Sequence, residues 1–317
     1  MVNKIKIGTR VPLVKNLLIV EGITRAGKFL LANLIHGFKD IEPIQYYGLP
    51  ENLPFLEKFG FINRRAAKEI LQCQIDTHCY EMLIGRNFNH RKFDKSSIYN
   101  NPRYKEFLTR SNEPDREKLL AAFYKNNSYS FFIMHELMPH IKIYLDTFSD
   151  IKIVSIQRSP IELVHSWYKC GLGKRWGNDP TWFQIALGDN QGPIPWYAHD
   201  WTHDYRTLPE IDRVIHSIQT LDYLYKKSFS RLSSRDKNKI LFVRYEKILS
   251  SPLKVIDSIK KFLNKNTLPE IGKILKKEKL PVKNYGAQIL NKIKIIKKMA
   301  SEKYFKILMD LENEYNL

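Results

Sequence analysis

The chain has 317 residues, 43% of them hydrophobic and 27% charged, a composition that supports a sizeable core and excludes a disordered or collagen-like polymer. Lys and Arg number 52 against 33 Asp and Glu, a formal charge of +19, which points to partners carrying phosphate, sulfate or polyanionic charge. Three cysteines, Cys73, Cys79 and Cys170, lack C-x-x-C spacing and so suggest neither a disulfide framework nor a zinc site.

In chain order, Asn16 to Val20 (NLLIV) is a short apolar run that turns at Gly22 into the helical pattern Phe29, Leu30, Leu31, Leu34, Ile35, a strand, tight turn and helix. Gly85 to Arg116 is polar and rich in Asn and Arg, an insert-like stretch. Two further strands are expected, Ser130 to Met134 and Ile151 to Ile156, the second feeding a helix opened by Ser159-Pro160. A second insert-like stretch, Cys170 to Arg206, is rich in Trp, Gly and Pro, and Lys239 to Tyr245 reads as a fourth strand. The Lys/Ile/Asn-rich segment from Leu263 to Leu317 reads as helices packed on the main body. Strands alternating with helices imply a three-layer α/β/α fold with a central parallel sheet, and ligands bind such sheets at the carboxyl ends of the strands. One domain over 1–317 is expected, with inserts at about 85–116 and 170–206. No signal-peptide block is present and no apolar run nears the ~20 residues of a bilayer span, so a soluble, cytoplasmic protein is expected.

Every chemistry-bearing motif begins at a strand end. Gly22, four residues, Gly27 and Lys28 fit G-x-x-x-x-G-K, but Phe29 stands where a P-loop nucleoside triphosphatase needs a Ser or Thr hydroxyl for Mg²⁺. Thr24, Arg25, Ala26, Gly27, Lys28 and Phe29 therefore read as an anion cradle: glycine admits close approach, helix-start amides face the ligand, and Arg25 and Lys28 add charge. Arg158 closes the third strand and Ser166 follows eight residues later on the next helix, a fork plus a hydroxyl suited to a phosphate monoester. Arg158 has a competing partner in Glu162, one turn along the same helix. After the second strand, His135 is a candidate general base and Glu136 a candidate to orient or replace it.

These segments resemble the 5′-phosphosulfate loop and the 3′-phosphate motif of the sulfotransferases that use 3′-phosphoadenosine 5′-phosphosulfate. Arg25-Ala26-Gly27 is similar to that family's cation, small residue and Gly. Arg158, Pro160 and Ser166 are similar to its R-x-x-P with a helix Ser, Met134-His135-Glu136-Leu137 to its base segment, and Tyr245-Glu246 through Pro252 to its Y-E strand-to-helix element. The likeness runs from about Asn16 to Leu263, with gaps at the inserts, and implies a P-loop-like sulfotransferase fold. It also implies sulfuryl transfer from 3′-phosphoadenosine 5′-phosphosulfate without a metal, with His135 as base, and Arg25 and Lys28 stabilising developing charge. Lys28-Phe29 departs from the hydroxyl pair usual after the loop Gly.

The acceptor expected is a hydroxyl or amine, with net basicity favouring an acidic carbohydrate over a neutral lipid; nucleic acid and a membrane span are not expected. Trp167, Trp176, Trp182, Trp196 and Trp201, with Tyr197 and Tyr205, either stack on an acceptor or pack a lid, and Glu42 to Tyr47 is a further place for acceptor contacts. Lys283 to Gly286 is a candidate C-terminal loop reaching the 3′-phosphate. Two other readings stay open: a Mg-ATP-dependent P-loop kinase, disfavoured by Phe29 and by Gln157-Arg158 where a metal-binding Asp belongs, and a noncatalytic binder of anionic polymers, whose cations would spread along one face.

Overall fold

The computed structural model describes residues 6–174, 179, 184–282 and 287–316. Four strands form a parallel sheet: β1 (Asn16–Gly22), β2 (Ser130–His135), β3 (Asp150–Gln157) and β6 (Ile240–Arg244), in the order β2-β1-β3-β6. A separate antiparallel hairpin, β4 (Leu187–Asp189) with β5 (Gly192–Ile194), falls inside the Trp-rich insert. Each expected sheet strand is present, lengthened or trimmed by one or two residues at its ends. Leu17, Leu18, Ile19 and Val20 are all fully buried, as a continuous apolar run must be when both sheet faces are covered.

Pleat alternation sorts the core into two clusters. Leu18, Val20, Phe131, Ile133, Val154 and Ile156 pack beneath one helical layer that includes Lys28–Ile35. Leu17, Ile19, Phe132, Met134, Ile151 and Ile153 face the other, which includes Arg64–Leu83 and Ile141–Thr147. The architecture is the three-layer α/β/α arrangement, with helices on both faces.

Register brings the chemistry to one edge. Gly22 lies opposite His135, Glu21 opposite Ser155, and Gln157 opposite Arg244. The chain leaves β1 toward β2 on one side and returns to lay β3 on the other, so the carboxyl ends of these three strands open at a topological switch point, where such sheets hold ligands. The C-terminal helix Glu302–Asn316 contributes Glu312, which accepts from Ser159 Oγ at 2.7 Å and from the Ile161 amide at 3.1 Å. It thereby ties down the start of the helix Pro160–Lys169, which carries Ser166. Among the described residues no helix is long and apolar enough to cross a membrane.

Candidate active site

The loop between β1 and the helix Lys28–Ile35 is fixed from several directions. Ala26 N–H closes a turn on the Ile23 carbonyl at 2.9 Å. Trp167 Nε1 donates to the Thr24 carbonyl at 2.7 Å, and Arg158 Nη1 to the Arg25 carbonyl at 2.7 Å. Gly27 starts the helix at φ 104°, and a Cβ there would stand 2.5 Å from the Tyr245 ring. Both left-handed backbone and lack of space demand glycine. Gly27→Ala is expected to lose about 2–4 kcal/mol of stability from strain plus overpacking, read by urea denaturation; an unchanged midpoint would show that the loop is not built against Tyr245.

Lys28 is placed differently from the sequence expectation. The residue is 4% exposed, and its ammonium donates to the carbonyls of Gly22 at 2.7 Å and Ile23 at 3.1 Å. Burial holds its pKa below the ordinary lysine range, against the pull of Glu136, Glu51 and Glu21. Lys28 thus braces the loop from within, and Arg25, exposed and in left-handed backbone at φ 71°, is the cation the loop presents outward. Phe29 is half-buried against the core, so the position that would supply a hydroxyl supplies packing.

Arg25, Ser166 and Arg158 come together. Arg25 Nε donates to Ser166 Oγ at 3.1 Å across 141 residues of sequence. Arg158 contacts the loop through the Arg25 carbonyl, lies over the Tyr245 ring at 4.4 Å, and also pairs with Glu162 at 2.7 Å. Convergence and the competing pair therefore coexist. Glu162 is shared with Lys292, and although burial raises its pKa, these two cations bring it below the usual carboxylate range. Arg158 Nε is buried with no hydrogen-bond partner, a donor left over for a ligand. The adjacent Glu246 accepts from the Ser159 amide at 3.0 Å and from the Tyr315 hydroxyl, so Tyr245-Glu246 sets both the floor under Arg158 and the start of its helix.

At the end of β2, His135 is paired by a residue that the sequence reading did not single out. Glu51, in the first turn of the helix Gly48–Lys58, accepts from the His135 amide at 2.6 Å and lies 2.9 Å from its Nδ1. With Glu51 as the acceptor at Nδ1, Nε2 is left as a free acceptor. Burial and nearby Lys28 push the His135 pKa down to about 3, and burial raises that of Glu51 to about 8. The imidazole is neutral at pH 7.

The folded-state pKa of Glu51 is raised, so folding favours its protonated form. That contribution is full below about 4.5, the unfolded value, and is lost as pH rises to about 8. His135 works in the opposite sense below about 6.5. Between pH 6.5 and 8 the wild type is therefore expected to lose stability relative to Glu51→Gln, by up to roughly 1 kcal/mol per pH unit. Parallel stability curves over that window would remove the assignment.

Glu136 makes its hydrogen bond to the first loop rather than to the imidazole. At φ 47° its carboxylate turns into the first loop and accepts from the Thr24 amide at 2.6 Å. Of the aromatics, Trp167, Trp196, Tyr197 and Tyr205 are buried and Trp201 stacks on His216 at 4.0 Å, so these pack inward. Trp176 and Trp182 lie outside the described residues, as does the Lys283 to Gly286 loop. Tyr46, in the segment flagged for acceptor contacts, is 44% exposed with its ring 5.3 Å from that of His135.

A family model described as a sulfotransferase domain matches residues 36–305. The match begins beyond the Ile23 to Gly27 loop and includes His135, Arg158 and Ser166. No curated protein matches the chain. Among solved structures, the sulfotransferase domain of the curacin biosynthetic pathway aligns at 12% identity and TM-score 0.44, over 83% of this chain and 77% of its own. The sulfotransferase domain of the Synechococcus PCC 7002 olefin synthase aligns at 12% and 0.44, over 96% and 95%. A Mycobacterium tuberculosis H37Rv sulfotransferase aligns at 11% and 0.43, over 92% and 76%. At those values the structural likenesses carry no argument of their own.

Proposed function

Because the chain belongs to the family of sulfotransferase domains, we propose that it moves a sulfuryl group from 3′-phosphoadenosine 5′-phosphosulfate to a hydroxyl or amine acceptor. The observation that carries this reading is the contact of Arg25 with Ser166, beside Arg158 and its unpartnered Nε. A guanidinium from the first loop, a helix hydroxyl and a strand-end guanidinium make a site for an anion at each end of one nucleotide. The buried orphan donor and the glycine-lined loop fit a multiply charged nucleotide.

In this mechanism Arg158 and Ser166 grip the 3′-phosphate and the loop amides receive the 5′ end. The nucleotide supplies an activated sulfur–oxygen bond. His135 Nε2 takes the acceptor proton as the acceptor oxygen or nitrogen bonds to sulfur. The bond from sulfur to the bridging oxygen breaks, and that oxygen leaves on adenosine 3′,5′-bisphosphate, next to Arg25. Glu51 positions the imidazole by holding Nδ1–H, and Lys28 acts through the loop carbonyls it braces. Fixed charges and oriented groups supply the rate gain.

For the acceptor, a carbohydrate remains our reading, supported by the formal charge of +19 and by the exposed ring of Tyr46 beside His135, a surface on which a sugar ring can pack. A cytoplasmic setting is part of the same reading, supported by an odd cysteine count of three without paired spacing. Calorimetric titration with adenosine 3′,5′-bisphosphate and with ATP, each with and without Mg²⁺, tests the donor. Magnesium-independent binding of the bisphosphate is the expected result. Preference for Mg-ATP would instead make the chain a phosphotransferase, and binding of neither would favour a noncatalytic polymer binder.

A further inference from the structure

Beneath the first loop lies a cavity of about 250 Å³ that shares Arg158, but neither Arg25 nor Ser166, with the proposed anion site. Its walls are mostly apolar, with Ile23 and Ala26 from the loop, Ile156 from β3, Leu163 from the helix Pro160–Lys169, Ile218 from the helix Glu210–Ser230, and Phe242 from β6, and Gln157, Asp222 and Tyr225 are among the polar residues that also line it. Thr24 and Arg25 do not line it, so the two sides of the loop serve different spaces. A dry cavity of roughly 150 Å³ already admits a benzene ring, so this one has room for a ring with a short chain.

Charged groups also line it. Arg158 lines the cavity, and its buried Nε has no partner. Lys226 stands at the rim, bonded to Asp222 at 2.7 Å and to Glu314 of the C-terminal helix at 2.8 Å, and Tyr315 lies beside it. The Lys226–Glu314 pair joins two helices at the rim of the cavity.

We propose that this cavity binds a compact, mostly apolar carboxylic acid, its ring or short acyl chain among Ile218, Leu163 and Phe242 and its carboxylate on Arg158 Nε. A carboxylate there shares Arg158 with the nucleotide 3′-phosphate, so the two ligands oppose each other. That coupling rests on the sulfotransferase reading; the cavity site does not.

The test is calorimetric titration of the full chain with 3-phenylpropanoate and with its uncharged counterpart 3-phenylpropan-1-ol. Wild type is expected to bind the acid at submillimolar concentration and the alcohol at least tenfold more weakly. Ile218→Trp, which fills the cavity, is expected to lose acid binding at least tenfold while titrating normally with adenosine 3′,5′-bisphosphate. If that variant does not fold, Phe242→Trp on the half-buried wall replaces it. No acid binding by wild type, or undiminished binding by a folded cavity-filling variant, overturns the site. Equal affinity for acid and alcohol overturns the role of Arg158. A wild type that binds the acid but not the bisphosphate keeps the cavity site and sinks the donor reading instead.

Discussion

Replacing His135 by Ala is expected to lower kcat by about 10²- to 10⁴-fold, the range for loss of a positioned general base, with bisphosphate affinity within a few-fold of wild type. The reason is the proton arrangement in the proposed mechanism: with Glu51 accepting the Nδ1 proton, Nε2 is the free acceptor. A variant that transfers sulfuryl groups at an undiminished rate would remove His135 from the mechanism. The pH profile adds a sharper test. In the ligand-free protein, burial and Lys28 hold the imidazole pKa down at about 3, so kcat/KM should show no inflection near 6.5. A bound nucleotide brings negative charge, which favours the imidazolium and raises the pKa toward working pH, where a base is more effective. The acid limb of kcat should therefore lie at higher pH than that of kcat/KM. Limbs at the same pH would mean that nucleotide charge is not felt at His135.

Arg158→Ala should weaken adenosine 3′,5′-bisphosphate binding by about 30- to 1,000-fold, or roughly 2–4 kcal/mol, the cost of removing a charge-assisted fork from a desolvated anion. Adenosine 5′-phosphate, which lacks the 3′ group, should lose less than about threefold, so the variant loses discrimination as well as affinity. The comparison matters because Arg158 also neutralises Glu162, which is 1% exposed and keeps only Lys292 once the guanidinium is gone. Stability falls for that reason too, since breaking a buried pair leaves a charge uncompensated. A general loss of structure would weaken both nucleotides alike, whereas a 3′-phosphate site weakens one.

The sheet was legible because its strands are uniform. Leu17–Val20 and Ile151–Ile156 are apolar runs bounded by turn residues, and a run buried on both faces has few other fates. Arg158 and Ser166 were legible for a related reason: a strand end and a helix face fix side-chain direction through period alone. Glu51 was not. An acid in the first turn of a helix is ordinarily explained by the helix dipole, and only the fold brings it 84 residues across the sequence to His135. Lys28 and Glu136 show a different limit. Their types and positions marked an ionic site, but whether an ammonium faces ligand or folds back on carbonyls depends on the loop's backbone path, set by Gly27, Tyr245 and Trp167 through contacts distant in sequence. The Trp-rich insert stood between two readings because aromatic density serves a lid and a stacking platform equally well, and burial of Trp196 and Tyr197 settles it for those two.

The Glu136 carboxylate on the Thr24 amide amounts to a tethered rival for any incoming anion. A group held on the same chain competes at an effective concentration set by geometry rather than by supply, in the millimolar range or above. Free sulfate, phosphate or a simple carboxylate metabolite, with one attachment point, is expected to lose to that rival. A ligand gripped at both ends, as in the proposed function, holds one anchor while it contests the other, so a single internal acid is expected to make the loop selective for length before any base or sugar is read.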